Sequence, residues 1–587
     1  MTDPSTSTGW RPGQPVRRAG YAESARVPES APGPDADQAK KTPGALGVWL
    51  ALLGITLVAA VLRVYHLDHG GLWYDELIMA RITAGSWASL WAEIWMGRPP
   101  IYPVLGKLWA DMFGHSDTAM RGLSATLSLL SVPMLFLVAR RLFDAHVALI
   151  ASAFMAVSPY QVYYAQEHRY YALFLLFSLT SVWLLLRALG VGGRANRQVP
   201  SGPKQGGGRP AGLGIWGGYV LISALAFYVH TFMLFLLSSI GIAVLVMYAR
   251  RSLAIARMRR FLGSQVAIMA LILPWGLLKL GLFRSTSEAE AAKEGALAMP
   301  WISLPPWWSP IRSVGNFLFL GAKYLSQPWV IAGLLVLVAG VVCGVWHHGK
   351  IRRWSQELSQ SLRDGLGVRR GAWWIAGMWA FGPLLMVFAL SYLVRPIYND
   401  RYLMASTAGL YILLAAVIVM VRRMVPVWAT TGMILLCMAG SLVTYYAQPQ
   451  KGAWAEAAVW LDENLAEGEG LAFSSERDIG RENAQVQDNW FWYAQRGGDR
   501  PQVRVHVRGE LDALVADLKS VSSPQHGVWL VMWRDPDAPV GLAEQFAQSP
   551  IHGLTLEQTQ KFFDLTLMRF AWAEPEMGSS DQGEPEI

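Results

Sequence analysis

The chain has 587 residues, of which 53% are hydrophobic and 16% are charged, and it contains 27 Trp, 20 Tyr and 21 Phe. An ordinary soluble domain has about 25% charged residues, so this composition excludes a soluble enzyme and indicates repeated membrane crossings. The net charge of +8 does not indicate a nucleic-acid partner, because the basic residues lie in separate loops and form no continuous face. Cys343 and Cys437 lie in apolar runs, which excludes a disulfide framework.

The N-terminal part predicts a tail followed by a membrane domain. Residues 1–44 are rich in Pro, Ser, Gly and Ala and lack the apolar core of a secretory signal, so we expect a disordered cytoplasmic tail. The stretch from Ala45 to about Leu62 is long enough to cross the roughly 30 Å of hydrocarbon and predicts an uncleaved signal anchor. Together with ten later apolar runs it predicts about eleven spans within residues 45–445. The later runs lie near residues 120–139, 146–163, 170–187, 214–229, 231–248, 262–282, 328–346, 372–394, 403–421 and 425–445.

The basic residues predict the orientation of these spans. They collect in alternate loops, at Arg140 and Arg141, Arg187–Arg209, Arg250–Arg260, Lys350–Arg370, and Arg422 and Arg423. The positive-inside rule makes these loops cytoplasmic, which predicts a multi-pass protein of the inner (plasma) membrane with a cytoplasmic N-terminus. The outer loops are then residues 63–117, 164–169, around 230, 283–327 and 395–402.

After Tyr446 the charge density becomes that of a soluble protein, and residues 446–587 are predicted to form an extracytoplasmic α/β domain. The periodicity of the apolar residues predicts its elements. Helices are expected at Ala453–Ala466 and Leu511–Leu518, strands at Gly470–Phe473, Val503–Val507, Gly527–Trp533 and Phe563–Arg569, and a mobile acidic tail at Glu574–Ile587.

The first outer loop, residues 63–117, is too long for a simple connector and holds two adjacent carboxylates, Asp75 and Glu76. A carboxylate at a membrane surface, partly shielded from water and held by a cation, can accept a proton from a hydroxyl nucleophile. The alternative is that the pair caps a following helix, since carboxylates favour helix N-termini. Further along the loop, the stiff turn from Arg98 to Tyr102 would direct both of these side chains towards the same surface.

The second outer connector, within SPYQVYYAQEHRYYAL, places Glu167, His168, Arg169 and Tyr170 at the start of a span. Such polar density at a membrane boundary indicates a polar pocket between spans. It is equally consistent with an arginine that reaches to the lipid headgroups and tyrosines that belong to the interfacial belt.

Two later segments offer further candidates. His230, in YVHTF, lies at an outer turn, where a hydrogen-bonded core histidine is the plainer interpretation. The connector RPIYNDRYL places Arg401 and Tyr402 beside a span, and a guanidinium there can hold a phosphate. An ion pair between Asp400 and Arg401 is the alternative.

Taken together and in this order, these motifs resemble the GT-C membrane glycosyltransferases, in particular the bacterial relatives of protein O-mannosyltransferases and lipid A aminoarabinose transferases. The resemblance covers roughly residues 45–445. It depends on WYDE at 73–76, RPPIY at 98–102, MRGLSA at 120–125, SPY through QEHRYYAL at 158–173, YVHTF at 228–232 and DRYL at 400–403.

The resemblance implies transfer of a sugar from a polyprenyl-phosphate carrier to an acceptor hydroxyl on the outer side, usually with inversion. It implies that Asp75 is the general base and that Glu76 positions the acceptor or shares the hydrogen-bond network of Asp75. Residues implied for the donor phosphate and its lipid are Arg169, Arg401, His230 and Tyr402. Residues implied to line the cavity are Arg98, Tyr102, Glu167, His168 and Tyr170.

The acceptor implied is a glycan, a glycolipid or a protein, and the sequence does not distinguish them. No cofactor is identified, and a divalent metal stays open near Glu167 and His168, where some relatives carry an aspartate. The competing interpretation is a transporter or flippase of lipid-linked sugars, which also needs many spans and intramembrane arginines. A long outer loop with paired acids favours surface chemistry instead.

Overall fold

The computed structural model describes the membrane helices, the first loop and most of the C-terminal part of the chain. The described residues are 45–68, 70–192, 212–279, 302–320, 370–422, 425–448, 451–475, 486–487, 490–494, 501–505, 507, 511–533, 538–546 and 550–573. The predicted N-terminal tail, the span predicted near 328–346 and the acidic C-terminal tail lie outside them. Contacts divide the chain into two units, residues 1–48 and 49–587, and every contact discussed below lies within the second.

Within the described residues, seven helices are long and apolar enough to cross a membrane. We number helices in chain order. The seven are α1 (Ala45–Val64), α5 (Asp117–Leu142), α8 (Tyr171–Leu189), α11 (Ile255–Lys279), α13 (Arg370–Leu393), α14 (Met404–Met420, preceded by a 3-10 turn at Asp400–Leu403) and α15 (Val427–Ala447). Two shorter apolar helices, α9 (Leu213–Val229) and α10 (Met233–Ala249), coincide with two of the predicted runs.

One predicted span is a broken helix. Helices α6 (Ala145–Val157) and α7 (Pro159–Ala165) meet at an angle of 58°. Pro159 has no backbone N–H, so the carbonyl of Met155 loses its helical partner. The side chain of Arg63 replaces it, because Nη2 donates to Met155 O and Nη1 donates to Ala156 O, both at 3.1 Å. The position of this break determines where the segment after α7 lies, and that segment carries several of the predicted site residues.

The loop predicted to be the first outer one, residues 63–117, contains three short helices in its described part, α2 (Tyr74–Ala84), α3 (Trp87–Trp95) and α4 (Ile101–Phe113). On α3 the tryptophans at positions 87, 91 and 95 lie on one face and are exposed, whereas Leu90 and Ile94 are buried on the other. An exposed tryptophan face at this spacing is typical of a helix that lies in the membrane interface. Another short helix, α12, lies much later in the chain and spans Ser309–Phe319.

The described residues of the C-terminal part form a five-stranded mixed sheet of strand order β2-β1-β3-β5-β4. β1 (Gly470–Ser475), β2 (Gln502–Arg504) and β3 (Val528–Trp533) are parallel, and β4 (Leu554–Phe562) and β5 (Leu565–Trp572) form an antiparallel hairpin. Alternate residues of β3 face two apolar cores. Helix α16 (Trp454–Asn464) covers one face, and α17 (Leu511–Ser520) and α18 (Ala538–Phe546) cover the other.

This architecture confirms the predicted class, a polytopic α-helical membrane protein that also carries a C-terminal α/β layer. The count of about eleven spans stays a prediction, since one of the predicted spans lies outside the described residues. In the α/β layer the sequence missed α18 and β4. The strand predicted at Val503–Val507 is shorter, and the last strand begins at Leu565 and not at Phe563.

Candidate active site

Asp75 lies in the first turn of α2 between two arginines from distant parts of the chain. Arg401 Nη1 donates a hydrogen bond of 3.0 Å to Asp75 Oδ2, and Arg169 Nη2 lies 3.6 Å from the same oxygen. Arg169 Nη1 also donates to the backbone carbonyl of Asp75, at 2.9 Å. The Asp75 side chain is 19% exposed. Two guanidinium groups therefore face one carboxylate where a ligand can still approach.

Glu76 points into the protein, because successive residues of a helix point about 100° apart, and its side chain is fully buried. Arg121 donates to both carboxylate oxygens, at 3.0 and 3.1 Å. Lys451 Nζ and the backbone N–H of His168 each donate at 2.7 Å. Burial alone would raise the pKa of the Glu76 carboxyl, but Arg121 and Lys451 outweigh it and lower that pKa to about 2. Glu76 is thus a charged internal anchor beyond the reach of a substrate.

His168 and Tyr102 form a second buried layer behind this anchor. Burial lowers the pKa of the His168 imidazole to about 4, so the ring is neutral at pH 7. Its Nδ1 donates to the carbonyl of Met120 at 2.9 Å, since a carbonyl can only accept, and lies 3.2 Å from the Tyr102 hydroxyl. That hydroxyl lies 2.8 Å from Ser124 Oγ, which in turn donates to the carbonyl of Arg169. The chain of contacts fixes the backbone that carries Arg169.

His230 belongs to an aromatic cluster on the other side of the arginines. Its ring centroid lies 5.2 Å from the centroids of both Tyr170 and Tyr402. The guanidinium of Arg169 lies 4.8 Å from the Tyr170 ring, and that of Arg401 lies 5.3 Å from the Tyr402 ring. The structure therefore brings these five predicted residues together, with the histidine holding the two tyrosines that flank the guanidinium groups.

Arg401 is directed at Asp75 because the turn before α14 is held by its neighbours. The carboxylate of Asp400 accepts hydrogen bonds from Ser313 Oγ and Asn316 Nδ2. The hydroxyl of Tyr160 donates to the carbonyl of Asp400 at 2.8 Å. The ion pair between Asp400 and Arg401 that the sequence left open is thus replaced by an ion pair between Arg401 and Asp75.

Glu167 is fully buried, and among the described residues neither of its carboxyl oxygens has a hydrogen-bond partner of normal geometry. The phenol of Tyr163 lies near it, one turn earlier. Burial raises the pKa of the Glu167 carboxyl to about 7, and the charge of Lys451 opposes that rise. Glu167 therefore sits at the balance between its neutral and charged forms near neutral pH.

Arg98 is the predicted residue that the structure directs elsewhere. Its Nε pairs with Glu93 Oε2 at 3.0 Å, and both side chains are partly exposed. This ion pair closes the turn between α3 and α4. Tyr102, which we expected to point to the same surface, instead turns inward and is buried.

Comparison with known proteins supports the membrane-protein fold described above. Residues 97–196 match the family model described as dolichyl-phosphate-mannose-protein mannosyltransferase, and no curated protein sequence matches the chain. The apo structure of ArnT from Cupriavidus metallidurans is similar over 90% of this chain and 98% of its own, at 15% identity and a TM-score of 0.50. The chain has the fold of a GT-C membrane glycosyltransferase.

Two further structures are similar with lower scores. ArnT from the same organism bound to undecaprenyl phosphate has a TM-score of 0.45 at 15% identity, over 90% of this chain and 98% of that one. The archaeal oligosaccharyltransferase AglB from Archaeoglobus fulgidus, in complex with an inhibitory peptide and a dolichol-phosphate, has a TM-score of 0.43 at 13% identity, over 85% and 72%. The GT-C resemblance inferred from the sequence motifs is confirmed at the level of the fold by the first of the ArnT structures.

Within this GT-C fold, two residues of the site were missed by sequence reasoning. Arg121 lies in MRGLSA, one of the motifs on which the resemblance depends, and a charge inside an apolar run was the available signal. Lys451 lay beyond the last span, and nothing local in the sequence connects it to the first loop.

As for metals, the described part of the chain contains no group of three or more His, Cys, Asp or Glu side chains placed to hold an ion.

Proposed function

We propose that this protein transfers a sugar from a polyprenyl-phosphate carrier to an acceptor hydroxyl on the outer side of the membrane, with Asp75 as the general base. The observation that carries the proposal is the pair of guanidinium groups, Arg169 and Arg401, around the single, partly exposed carboxylate of Asp75. Two guanidinium groups on one carboxylate favour the binding of a further anion, and arginine suits phosphate because its planar donors match the phosphate oxygens.

Unused hydrogen-bond donors around Asp75 support the same ligand. In the described residues, four buried donors of this site have no hydrogen-bond partner: Trp73 Nε1, Arg169 Nε, Arg401 Nε and the hydroxyl of Tyr171. The Trp73 ring lies 5.8 Å from the Arg401 guanidinium, and the Tyr171 ring lies 6.0 Å from that of Arg169. Buried donors are normally satisfied, so this concentration fits a ligand rich in acceptor oxygens, as a sugar phosphate is.

The proposed reaction has the following steps. The donor phosphate binds the two arginines and thereby loosens their hold on the Asp75 carboxylate. Asp75 then accepts the proton of the acceptor hydroxyl, whose oxygen attacks the anomeric carbon from the side opposite the phosphate. The bond between that carbon and the phosphate oxygen breaks, and its electron pair leaves with the polyprenyl phosphate, stabilised by the arginines. The sugar is therefore transferred with inversion, and the proton stays on Asp75 until solvent removes it.

The lipid carrier is inferred from position and from the comparisons. A sugar on a long isoprenoid reaches an enzyme at the bilayer surface, and Arg169 and Arg401 lie next to the ends of α8 and α14. The family model that matches residues 97–196 is described by a dolichyl-phosphate-mannose donor. ArnT, whose apo structure shares the fold, has also been solved with undecaprenyl phosphate bound. The sugar and the acceptor, whether glycan, glycolipid or protein, stay open.

The substitution Asp75→Asn tests the proposal. We expect turnover to fall about 100- to 10,000-fold, since the base is lost, while the donor binds as tightly as before or more tightly, since a competing carboxylate is removed from the arginines. Turnover is measured with the purified protein and a panel of polyprenyl-phosphate sugars, and donor binding by calorimetry.

Asp68→Asn is the matched control, because Asp68 is an exposed carboxylate of the same loop, and it should leave both quantities unchanged. Wild-type turnover in Asp75→Asn would remove Asp75 from the mechanism. Movement of an intact lipid-linked sugar across the bilayer, without transfer to any acceptor, would favour the transporter instead.

A further inference from the structure

The loop that carries Asp75 is held by residues that follow the last membrane span. Lys451 lies three residues before α16, and its side chain is buried. Its ammonium donates to Glu76 Oε2 at 2.7 Å and to the carbonyl of Gln166 at 2.8 Å. One side chain thus joins the first loop, the segment after α7 and the start of the C-terminal layer, across 375 residues of sequence.

The contact between Lys451 and Glu76 is a buried ion pair, and breaking it costs free energy. Both groups are buried, and Arg121 completes the charge cluster from the side of α5. Arg121 would still pair with Glu76 if the ammonium of Lys451 were removed, but two buried acceptors, Glu76 Oε2 and the carbonyl of Gln166, would each lose a hydrogen-bond donor, which is unfavourable. Glu76 also accepts a bond from the backbone N–H of Trp73, which closes the first turn of α2. Whatever fixes Glu76 therefore fixes the turn in which Asp75 is the preceding residue.

A second contact from the C-terminal layer reaches the same stretch of loop. The backbone N–H of Leu72 donates to the hydroxyl of Tyr493 at 2.5 Å, and that hydroxyl donates to Asp117 Oδ2 at 2.9 Å. The Tyr493 ring also lies so close to Gly71 that a Cβ there would meet its hydroxyl at 3.1 Å. Leu72 packs with Leu77 in a small apolar core against which Tyr493 lies. The loop is thus bound through its backbone as well as through Glu76.

We infer that Lys451 is a positioning residue for Asp75, and that the active site is complete only when the region after the last span is docked on the first loop. Lys451 has no hydrogen bond or ion pair with Asp75 or with the two arginines that face it, Arg169 and Arg401. It acts through the carboxylate of Glu76 and the first turn of α2. This inference builds on the proposed function, since it assigns Asp75 the reactive role. It adds that the C-terminal layer supports catalysis itself, in addition to any part in choosing an acceptor.

The test compares three lysine variants of the full-length protein. Lys451→Met removes the charge and keeps the length of the side chain, Lys451→Arg keeps the charge, and Lys561→Met makes the same change at an exposed position of β4. We expect Lys451→Met to lower kcat about 100-fold, the scale of a displacement of about 1 Å in a reacting group, with the donor KM within about threefold of wild type. Lys451→Arg should recover most of the loss, and Lys561→Met should show none.

Hydrogen–deuterium exchange gives a readout that does not depend on activity. Exchange in residues 70–84 should be faster in Lys451→Met than in wild type and unchanged in Lys561→Met. Tyr493→Phe is a milder variant that removes one hydroxyl, and it should speed exchange in the same residues, which keeps the inference testable if Lys451→Met does not fold.

The two measurements separate the two ideas. If the wild type transfers no sugar from any polyprenyl phosphate, the proposed function fails, and the exchange rates still decide whether Lys451 anchors the loop. Unchanged exchange in residues 70–84 in both Lys451→Met and Tyr493→Phe would overturn the inference, and so would faster exchange together with wild-type kcat.

Discussion

At the scale of single residues, the sequence and the structure differ most over the two adjacent acids. The sequence treats Asp75 and Glu76 as one pair, with helix capping as the alternative to chemistry. The structure divides these roles between them. Asp75 is partly exposed and faces two arginines, whereas Glu76 is buried and accepts a hydrogen bond that closes the first turn of α2. Adjacency in sequence indicates that both acids lie at one place. It does not indicate which one is buried, because that depends on partners such as Arg121 and Lys451 that come from elsewhere.

Glu167 has the environment of a carboxyl that responds to pH near neutrality. Its pKa is raised by burial from the ordinary value of 4.5 to about 7. Between these two values the folded protein holds a proton that the unfolded chain has lost, so the stability contributed by this group is full below pH 4.5 and declines as the pH rises to about 7. Above that, the folded protein carries a buried carboxylate that lacks a hydrogen bond of normal geometry within the described residues.

We therefore predict that Glu167→Gln, which cannot ionise, is more stable than wild type at pH 8 and equally stable at pH 4. A difference of about 2.5 units in pKa sets an upper limit of about 3 kcal/mol. The measurement is the thermal unfolding midpoint in detergent as a function of pH. Glu456→Gln, at an exposed glutamate of α16, serves as the control and should follow wild type. A constant offset between Glu167→Gln and wild type at both pH values would show that the carboxyl does not titrate in this range.

At the scale of elements, the apolar periodicity predicted the helices well and the strands unevenly. The β4 strand was missed because only its first residue is buried. A strand at the edge of a sheet, with both faces largely exposed, lacks the alternation of apolar and polar residues by which strands are recognised. The buried strand β3, whose six residues are all apolar, was predicted almost to its ends.

The break between α6 and α7 could not be read from hydropathy, because the apolar run continues through it. Pro159 is a local signal that we did not interpret as a break, and the partner that makes the break stable, Arg63, lies on α1 and is separated by 92 residues from Met155. Arg63 is buried, and it also donates from Nε to Ser128 Oγ at 2.9 Å. An arginine near the end of an apolar run would by itself be interpreted as a residue that reaches to the headgroups.

We predict that Arg63→Leu destabilises the protein by several kcal/mol, because the carbonyls of Met155 and Ala156 lose their donors, and each buried unsatisfied group costs about 1–3 kcal/mol. The unfolding midpoint in detergent should fall clearly. Arg140→Leu is the matched control, since Arg140 is an exposed arginine near the end of α5, and it should change the midpoint little. If Arg63→Leu unfolds at the wild-type temperature, the contacts of Arg63 do not stabilise the break.

At the scale of the whole molecule, the order of the motifs along the chain was enough to indicate the fold, although each motif alone is weak. A multispan fold is specified by the sequence of loops and span ends, and these features are local. The docking of the C-terminal layer on the first loop is different, because it depends on contacts such as those of Lys451 and Tyr493 with residues several hundred positions away. No local pattern encodes such a contact, and the sequence left the role of this layer open.

That docking constrains the topology independently of the positive-inside rule. Since Lys451 contacts Glu76, the C-terminal layer and the first outer loop must lie on the same side of the membrane. The distribution of basic residues predicts that this is the outer side and that the loop between α10 and α11 is cytoplasmic. Single cysteines introduced into a chain that lacks Cys343 and Cys437 test both statements.

We predict that His115→Cys, in the first loop, and Lys561→Cys, on β4, react with an impermeant maleimide in intact cells. Ser252→Cys, between α10 and α11, should react only after the membrane is permeabilised. All three positions are exposed, so failure to react reports the side of the membrane. Labelling of His115→Cys and Lys561→Cys from opposite sides would contradict the docking of the C-terminal layer. If both react only after permeabilisation, the docking stands, but the predicted orientation is inverted, and the proposed transfer would take place on the cytoplasmic side.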